Sequence, residues 1–114
     1  MKKIYYLSTC STCQRILGQL PIDQFELQDI KAQPMTSDQL EEMKELAGDY
    51  QSLFSRRAMK YRSLGLNEQQ LSETDYRDWI LKEYTFLKRP VAIVDSQIFI
   101  GNSKKTIDQL IESL

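Results

Sequence analysis

Ile4-Tyr5-Tyr6-Leu7-Ser8-Thr9-Cys10-Ser11-Thr12-Cys13-Gln14-Arg15-Ile16-Leu17 carries two patterns back to back. The apolar, β-prone run that closes at Leu7 reads as a strand. Small hydroxyl residues follow, then Cys10 and Cys13 with two residues between them. After Cys13 the apolar positions Ile16, Leu17 and Leu20 recur at helical spacing. The stretch is strand, tight loop and helix, and both cysteines stand at the loop-to-helix junction.

That junction matters because the thiolate, not the thiol, is the attacking species in sulfur chemistry. A helix N-terminus presents unpaired N–H groups and the positive end of the helix dipole, and both favour an anion. Cys10 falls just before the first turn, where its thiolate gains most. Cys13 falls one turn inside, close enough to close a disulfide onto Cys10 and less exposed. Cys10 is therefore the expected nucleophile and Cys13 the resolving thiol. Thr9, Ser11 and Thr12 can donate hydroxyl hydrogen bonds to sulfur or to a bound oxyanion.

A C-x-x-C pair is also half of a structural zinc site, but zinc takes four ligands. The chain has no other cysteine and no histidine, so a closed single-chain site would need carboxylates. The flanking Ser and Thr residues argue against a pair of inert core cysteines. Redox chemistry without a bound metal is the expectation.

With 114 residues the chain reads as one domain, 1–114, large enough for a single core. A net charge of −1 gives no whole-molecule field for nucleic acid. Lys2 and Lys3 precede an apolar run too short for a signal peptide, and no segment approaches a membrane span. Two cysteines in this spacing point to an intracellular redox motif more than a secreted disulfide framework. A cytoplasmic protein without direct nucleic-acid or membrane partners is expected.

Along the chain, 3–7 reads as the first strand and Ser11 to Leu20 as a helix stopping before Pro21. The alternation at 24–28 reads as a second strand, paired in parallel through a right-handed crossover. Thr36 and Gln39 match a capping box for a helix with Leu40, Met43, Leu46 and Ala47 on its apolar stripe, ended by Gly48. Tyr50 to Leu66 reads as a less regular helix ending at Gly65. Thr74 to Tyr84 reads as a third, with Thr74 as cap and Tyr76, Trp79 and Ile80 facing inward. The β-branched run 91–94, the Asp95-Ser96 turn and 97–100 read as a hairpin. Gly101-Asn102-Ser103 opens a last helix with Ile107, Leu110, Ile111 and Leu114 as its apolar face.

The order is β-α-β, a mostly helical insert from about 34 to 86, then β-β-α. Without the insert this is a thioredoxin-like mixed α/β sheet with the cysteines after the first strand. In such folds the proline before the third strand is cis and lies against the redox pair, which commits Arg89-Pro90 to that form. The topology also brings Gly101, Asn102, Ser103 and Lys104 to the end of the sheet that carries the cysteines.

The C-x-x-C, the helical insert, Leu53-Phe54-Ser55-Arg56-Arg57 through Tyr61-Arg62-Ser63-Leu64-Gly65-Leu66, and Phe86-Leu87-Lys88-Arg89-Pro90-Val91 together resemble the arsenate reductase (ArsC)/Spx family. The resemblance spans nearly the whole chain. It implies an enzyme in which one cysteine, matched by Cys10, attacks arsenate while arginines hold the oxyanion. Arg89 matches one of these, and Arg57 or Arg56 is the nearest candidate for another. A third arginine position falls near Asn102. Ser8-Thr9 replace the usual Asn-Pro, and Cys13 stands where those enzymes commonly carry Ser.

The resemblance also implies an external thiol reductant, either glutathione with glutaredoxin or thioredoxin, and no resident cofactor. Cys13 is a feature shared with the Spx branch. There a C-x-x-C disulfide switches binding to the C-terminal domain of the RNA polymerase α subunit. Two readings therefore stand: a thiol oxidoreductase acting on a small oxyanion or disulfide, placed first, and a redox-switched transcription regulator.

Overall fold

A computed structural model describes residues 1–114. The chain divides into two units, Met1–Pro34 with Arg89–Leu114, and Met35–Lys88.

The first unit holds the sheet: β1 (Lys2–Tyr6), β2 (Glu26–Asp29), β3 (Val91–Val94) and β4 (Gln97–Ile100), in the order β2-β1-β3-β4. β1 and β2 are parallel, with Tyr6 beside Asp29. β3 runs antiparallel to β1, with Tyr5 beside Val91, and β4 antiparallel to β3, with Val91 beside Ile100. The end of β1, the end of β2, the start of β3 and the end of β4 thus share one end of the sheet. Alternation does the sorting. Ile4, Ala92 and Val94 turn to one face and pack with Ile16 and Leu20 of the first helical segment and Ile107 and Leu110 of the last. Tyr5, Val91 and Ile93 alternate with them and are buried too.

Helix α1 spans Ser11–Leu17 and α5 spans Lys104–Glu112. α1 is shorter than the expected 11–20. Gly18 N–H closes onto the Gln14 carbonyl, and Gln19 and Leu20 then donate to Ile16 and Leu17 in a tighter turn. The tighter turn keeps Leu20 in the core, which is why the apolar spacing overran the helix. β1 stops at Tyr6 rather than at Leu7, whose carbonyl accepts the Cys10 N–H at 3.0 Å. β2 starts at Glu26 rather than at 24 because Ile22–Gln24 forms a 3₁₀ turn. On α5, Ser103 caps through its hydroxyl, and Ile107 and Leu110 face the core. Ile111 and Leu114, expected on that apolar face, are exposed.

The second unit holds α2 (Ser37–Ala47), α3 (Met59–Ser63) and α4 (Glu73–Lys82). The Thr36–Gln39 capping box is formed in both directions, and Gly48 ends α2 with φ 99. The irregular helix expected over Tyr50–Leu66 is broken instead. Phe54 pairs with Leu87 in an antiparallel bridge, and only Met59–Ser63 is α-helical before Gly65 turns left-handed. α4 is capped by Ser72, not Thr74, because Ser72 and Asp75 complete a capping box. Phe54 organises this unit, stacked on Phe86 at 4.9 Å and tilted against Tyr76 at 5.0 Å. Trp79, expected in the core, is only half-buried, edge-on to Phe86 with the Lys82 ammonium over its ring.

Candidate active site

β1 delivers the chain to a four-residue loop, Leu7-Ser8-Thr9-Cys10, before α1 begins at Ser11. Cys10 is the N-cap residue, with extended φ −93 and ψ 113. Its carbonyl accepts the Gln14 N–H at 3.1 Å, as an N-cap carbonyl does. Its sulfur faces the Cys13 N–H in the first turn of the helix. Cys13 lies one turn on and is fully buried, while Cys10 is half-buried. Both are free thiols. Ser11 is exposed and Thr12 half-buried on the turn between them.

The two sulfurs are driven in opposite directions. Burial raises the Cys10 thiol. The Cys13 N–H and thiol, and then the charge and N–H groups of Arg89, act against it and bring Cys10 below its ordinary value. Cys13 is pushed up to about 11, first by burial and then by the neighbouring Cys10 charge, with the Leu7 backbone and Arg89 only partly offsetting them. One sulfur is thus disposed to be thiolate and the other to keep its proton.

Arg89 and Pro90 come from the residues before β3. The Arg89–Pro90 bond is cis. Arg89 is half-buried and Pro90 buried, and the Pro90 carbonyl accepts the Gly101 N–H at 2.9 Å. Gly101, with φ 91, thereby brings the turn after β4 to the same end of the sheet. Asn102 and Ser103 follow, both exposed. Cys10, Cys13 and Arg89 are brought together. Arg57 belongs to the Met35–Lys88 unit, where it is exposed, and Arg56 of that unit donates to the Tyr76 hydroxyl at 3.0 Å. No group of three or more His, Cys, Asp or Glu side chains converges anywhere as a metal site, and no helix is long and apolar enough to cross a membrane.

Two residues near the site were not singled out from the sequence. Asp29, at the end of β2, accepts the Ser8 N–H at 3.3 Å. Gln14, in α1, donates its side-chain amide to the Ser8 carbonyl. Only the β1–β2 register could have found Asp29. Gln14 sits six residues from Ser8, across the turn the chain makes at Cys10.

The family model of the ArsC family matches residues 5–110. The chain belongs to the ArsC family. Several solved structures share the ArsC-type fold. They include an arsenate reductase from Vibrio cholerae (20% identity, TM-score 0.75, covering 99% of this chain and 97% of that one). A possible arsenate reductase from Streptococcus mutans UA159 aligns at 24% identity and TM-score 0.74, over 97% of this chain and 98% of that one. An arsenate reductase (ArsC) related protein from Brucella melitensis aligns at 18% identity and TM-score 0.73, over 97% and 94%. No curated protein matches the ArsC-family chain by sequence.

Proposed function

We propose that this ArsC-family protein is a thiol oxidoreductase that reduces an oxyanion of the arsenate type. Cys10 is the nucleophile and Cys13 the resolving thiol. The observation that carries the reading is the opposed pair of sulfurs beside Arg89: Cys10 below the ordinary thiol value, Cys13 buried and near 11.

The Cys10 thiolate attacks the arsenic of arsenate. A sulfur–arsenic bond forms and an arsenic–oxygen bond breaks, the oxygen leaving as water once protonated. Cys13 then loses its proton and attacks the Cys10 sulfur. The disulfide forms, and the sulfur–arsenic electron pair passes to arsenic, which falls from As(V) to As(III). Two thiols have given two electrons. An external thiol reductant, glutathione with glutaredoxin or thioredoxin, returns two electrons and two protons to reset the pair. Arg89 holds the anion and favours the thiolate. Ser11 and Thr12 offer hydroxyl donors on the turn between the sulfurs.

The test is arsenate-dependent NADPH consumption, coupled through glutaredoxin and glutathione or through thioredoxin and its reductase. Turnover should vanish in Cys10→Ser and weaken in Cys13→Ser and Arg89→Ala. If the Cys10–Cys13 disulfide is reduced but arsenate adds nothing, the oxyanion assignment fails and a disulfide substrate takes its place.

A further inference from the structure

The loop that presents Cys10 has one residue held at both of its peptide groups. Ser8 N–H donates to Asp29 Oδ1 at 3.3 Å, and the Ser8 carbonyl accepts the side-chain amide of Gln14. Asp29 is itself fixed. It ends β2 opposite Tyr6, the Ile30 N–H donates to the Tyr6 carbonyl at 2.9 Å, and Asp29 Oδ1 also takes the Lys31 N–H at 3.1 Å. The Ser8 hydroxyl gives the carboxylate a further donor, the largest of the effects that hold Asp29 below the usual carboxylate range. The other end of the clasp is anchored as well, since the Gln14 N–H donates to the Cys10 carbonyl at 3.1 Å.

We propose that Asp29 is a positioning residue for Cys10: with Gln14 it clasps the Ser8 peptide from both sides and fixes the loop whose last residue carries the nucleophile. The inference rests on the reading of Cys10 as nucleophile. Its physical content is narrow. The features that favour the Cys10 thiolate, the Cys13 N–H and the Arg89 guanidinium, act within a few ångströms and depend on direction. Strand β1 ends at Tyr6, so sheet pairing does not hold the loop beyond that point. A carboxylate accepting backbone N–H groups is a strong and directional anchor. Gln14 ties the loop to α1, which reaches the sheet only through side-chain packing, Asp29 ties it to β2 by a directional hydrogen bond, and Arg89 is attached to the sheet through Pro90 and β3. By tying the loop to β2, Asp29 constrains where Cys10 stands relative to Arg89.

The experiment is the pH profile of Cys10 alkylation by iodoacetamide, with the modified residue identified by mass spectrometry, in the wild type and in Asp29→Ala, Asp29→Asn and Gln14→Ala. This readout needs no substrate. Loosening the clasp should move the Asp29→Ala profile to higher pH by about half to one unit, slowing alkylation at pH 6 by about three- to tenfold. Asp29→Asn keeps one acceptor oxygen and should lie between the two. Gln14→Ala should shift in the same direction as Asp29→Ala. In denaturant all four profiles should coincide. A purely structural Asp29 would lower the melting temperature and leave the native Cys10 profile on that of the wild type, and that result overturns the proposal. If Asp29→Ala does not fold, Asp29→Asn and Gln14→Ala decide it by the same criterion. A wild-type Cys10 that titrates like an ordinary thiol removes the nucleophile assignment. A depressed wild-type profile that the variants do not move removes only the positioning role.

Discussion

The Gly101 N–H donates to the Pro90 carbonyl at 2.9 Å, so the turn leading into α5 is tied to the residue that follows Arg89. Gly101 holds φ +91, yet nothing lies within 4 Å of where a Cβ would stand. The cost of a side chain there is conformational, not steric. Gly101→Ala should lose about 1–2 kcal/mol. Urea denaturation should show this as a lower midpoint with an unchanged slope. An unaltered midpoint would mean that the turn relaxes without cost.

Arg89 contributes both charge and hydrogen bonding to the Cys10 thiolate. Arg89→Ala should raise the Cys10 alkylation midpoint and slow modification at pH 6 several-fold, an effect of about 1 kcal/mol for a partly exposed pair. Arg89→Lys keeps the charge and loses the planar fork, so it should recover part of the rate. If Ala and Lys behave alike, charge is not what Arg89 supplies.

Limited iodoacetamide at pH 7 should label Cys10 alone. With a value near 11, Cys13 is thiolate in only about one molecule in ten thousand at that pH, and its sulfur is buried besides. Cys10→Ser should therefore cut native labelling by more than tenfold and leave labelling in denaturant at one equivalent. Comparable native labelling of both cysteines would contradict the asymmetry.

The two thiols also predict a stability profile. Cys13 is raised in the folded state, from an ordinary value of 9.0 to about 11. Its contribution is fully present below pH 9 and is lost as pH rises through 11. Cys10 is lowered in the folded state. Its contribution is present above about 9 and is lost as pH falls through its folded value. Together they place a maximum near pH 9. Subtracting the melting profile of a Cys10→Ser, Cys13→Ser double variant cancels every other titrating group, and the difference should peak there. A flat difference between pH 7 and 11 would refute both shifts.

In the Met35–Lys88 unit, the Thr36 hydroxyl accepts the Gln39 N–H at 3.1 Å while the Gln39 side chain accepts the Thr36 N–H at 3.1 Å. Thr36→Ala should destabilise by about 1 kcal/mol and lower the melting temperature by a few degrees, with Thr36→Ser close to wild type. Because the cap lies outside the cysteine-bearing unit, Cys10 alkylation in the native state should not change.

The parts of the fold that were legible in the sequence are those whose signals are local. The Asp95-Ser96 turn between two β-prone runs placed β3 and β4 to the residue, since a two-residue loop leaves no slack. The Thr36–Gln39 box placed α2 for the same reason. The sequence alone puts the cap of α4 two residues late, at Thr74, because the reciprocal bonds that single out Ser72 run to Asp75 and show only in the folded turn. The break near Phe54 was not legible, because it depends on Leu87, far along the chain. The site divides similarly. Cys10 and Cys13 are adjacent in sequence and carry their own chemistry. Arg89 could be placed beside them only through the topology and the family resemblance. Asp29 acts through a strand register, which no short-range pattern encodes.

Cys13 has none of its surface exposed. Displacement at sulfur requires an open line of approach, and Cys13 offers none to a molecule arriving from solvent. On the proposed function, a covalent bond between the folded chain and an outside thiol forms at Cys10. In that mechanism the protein is single-handed: it grips one guest at a time and lets go when its own interior sulfur pushes the guest off. Replacing Cys13 should then turn that hand into a hook, and a thiol protein caught on it would be the electron donor.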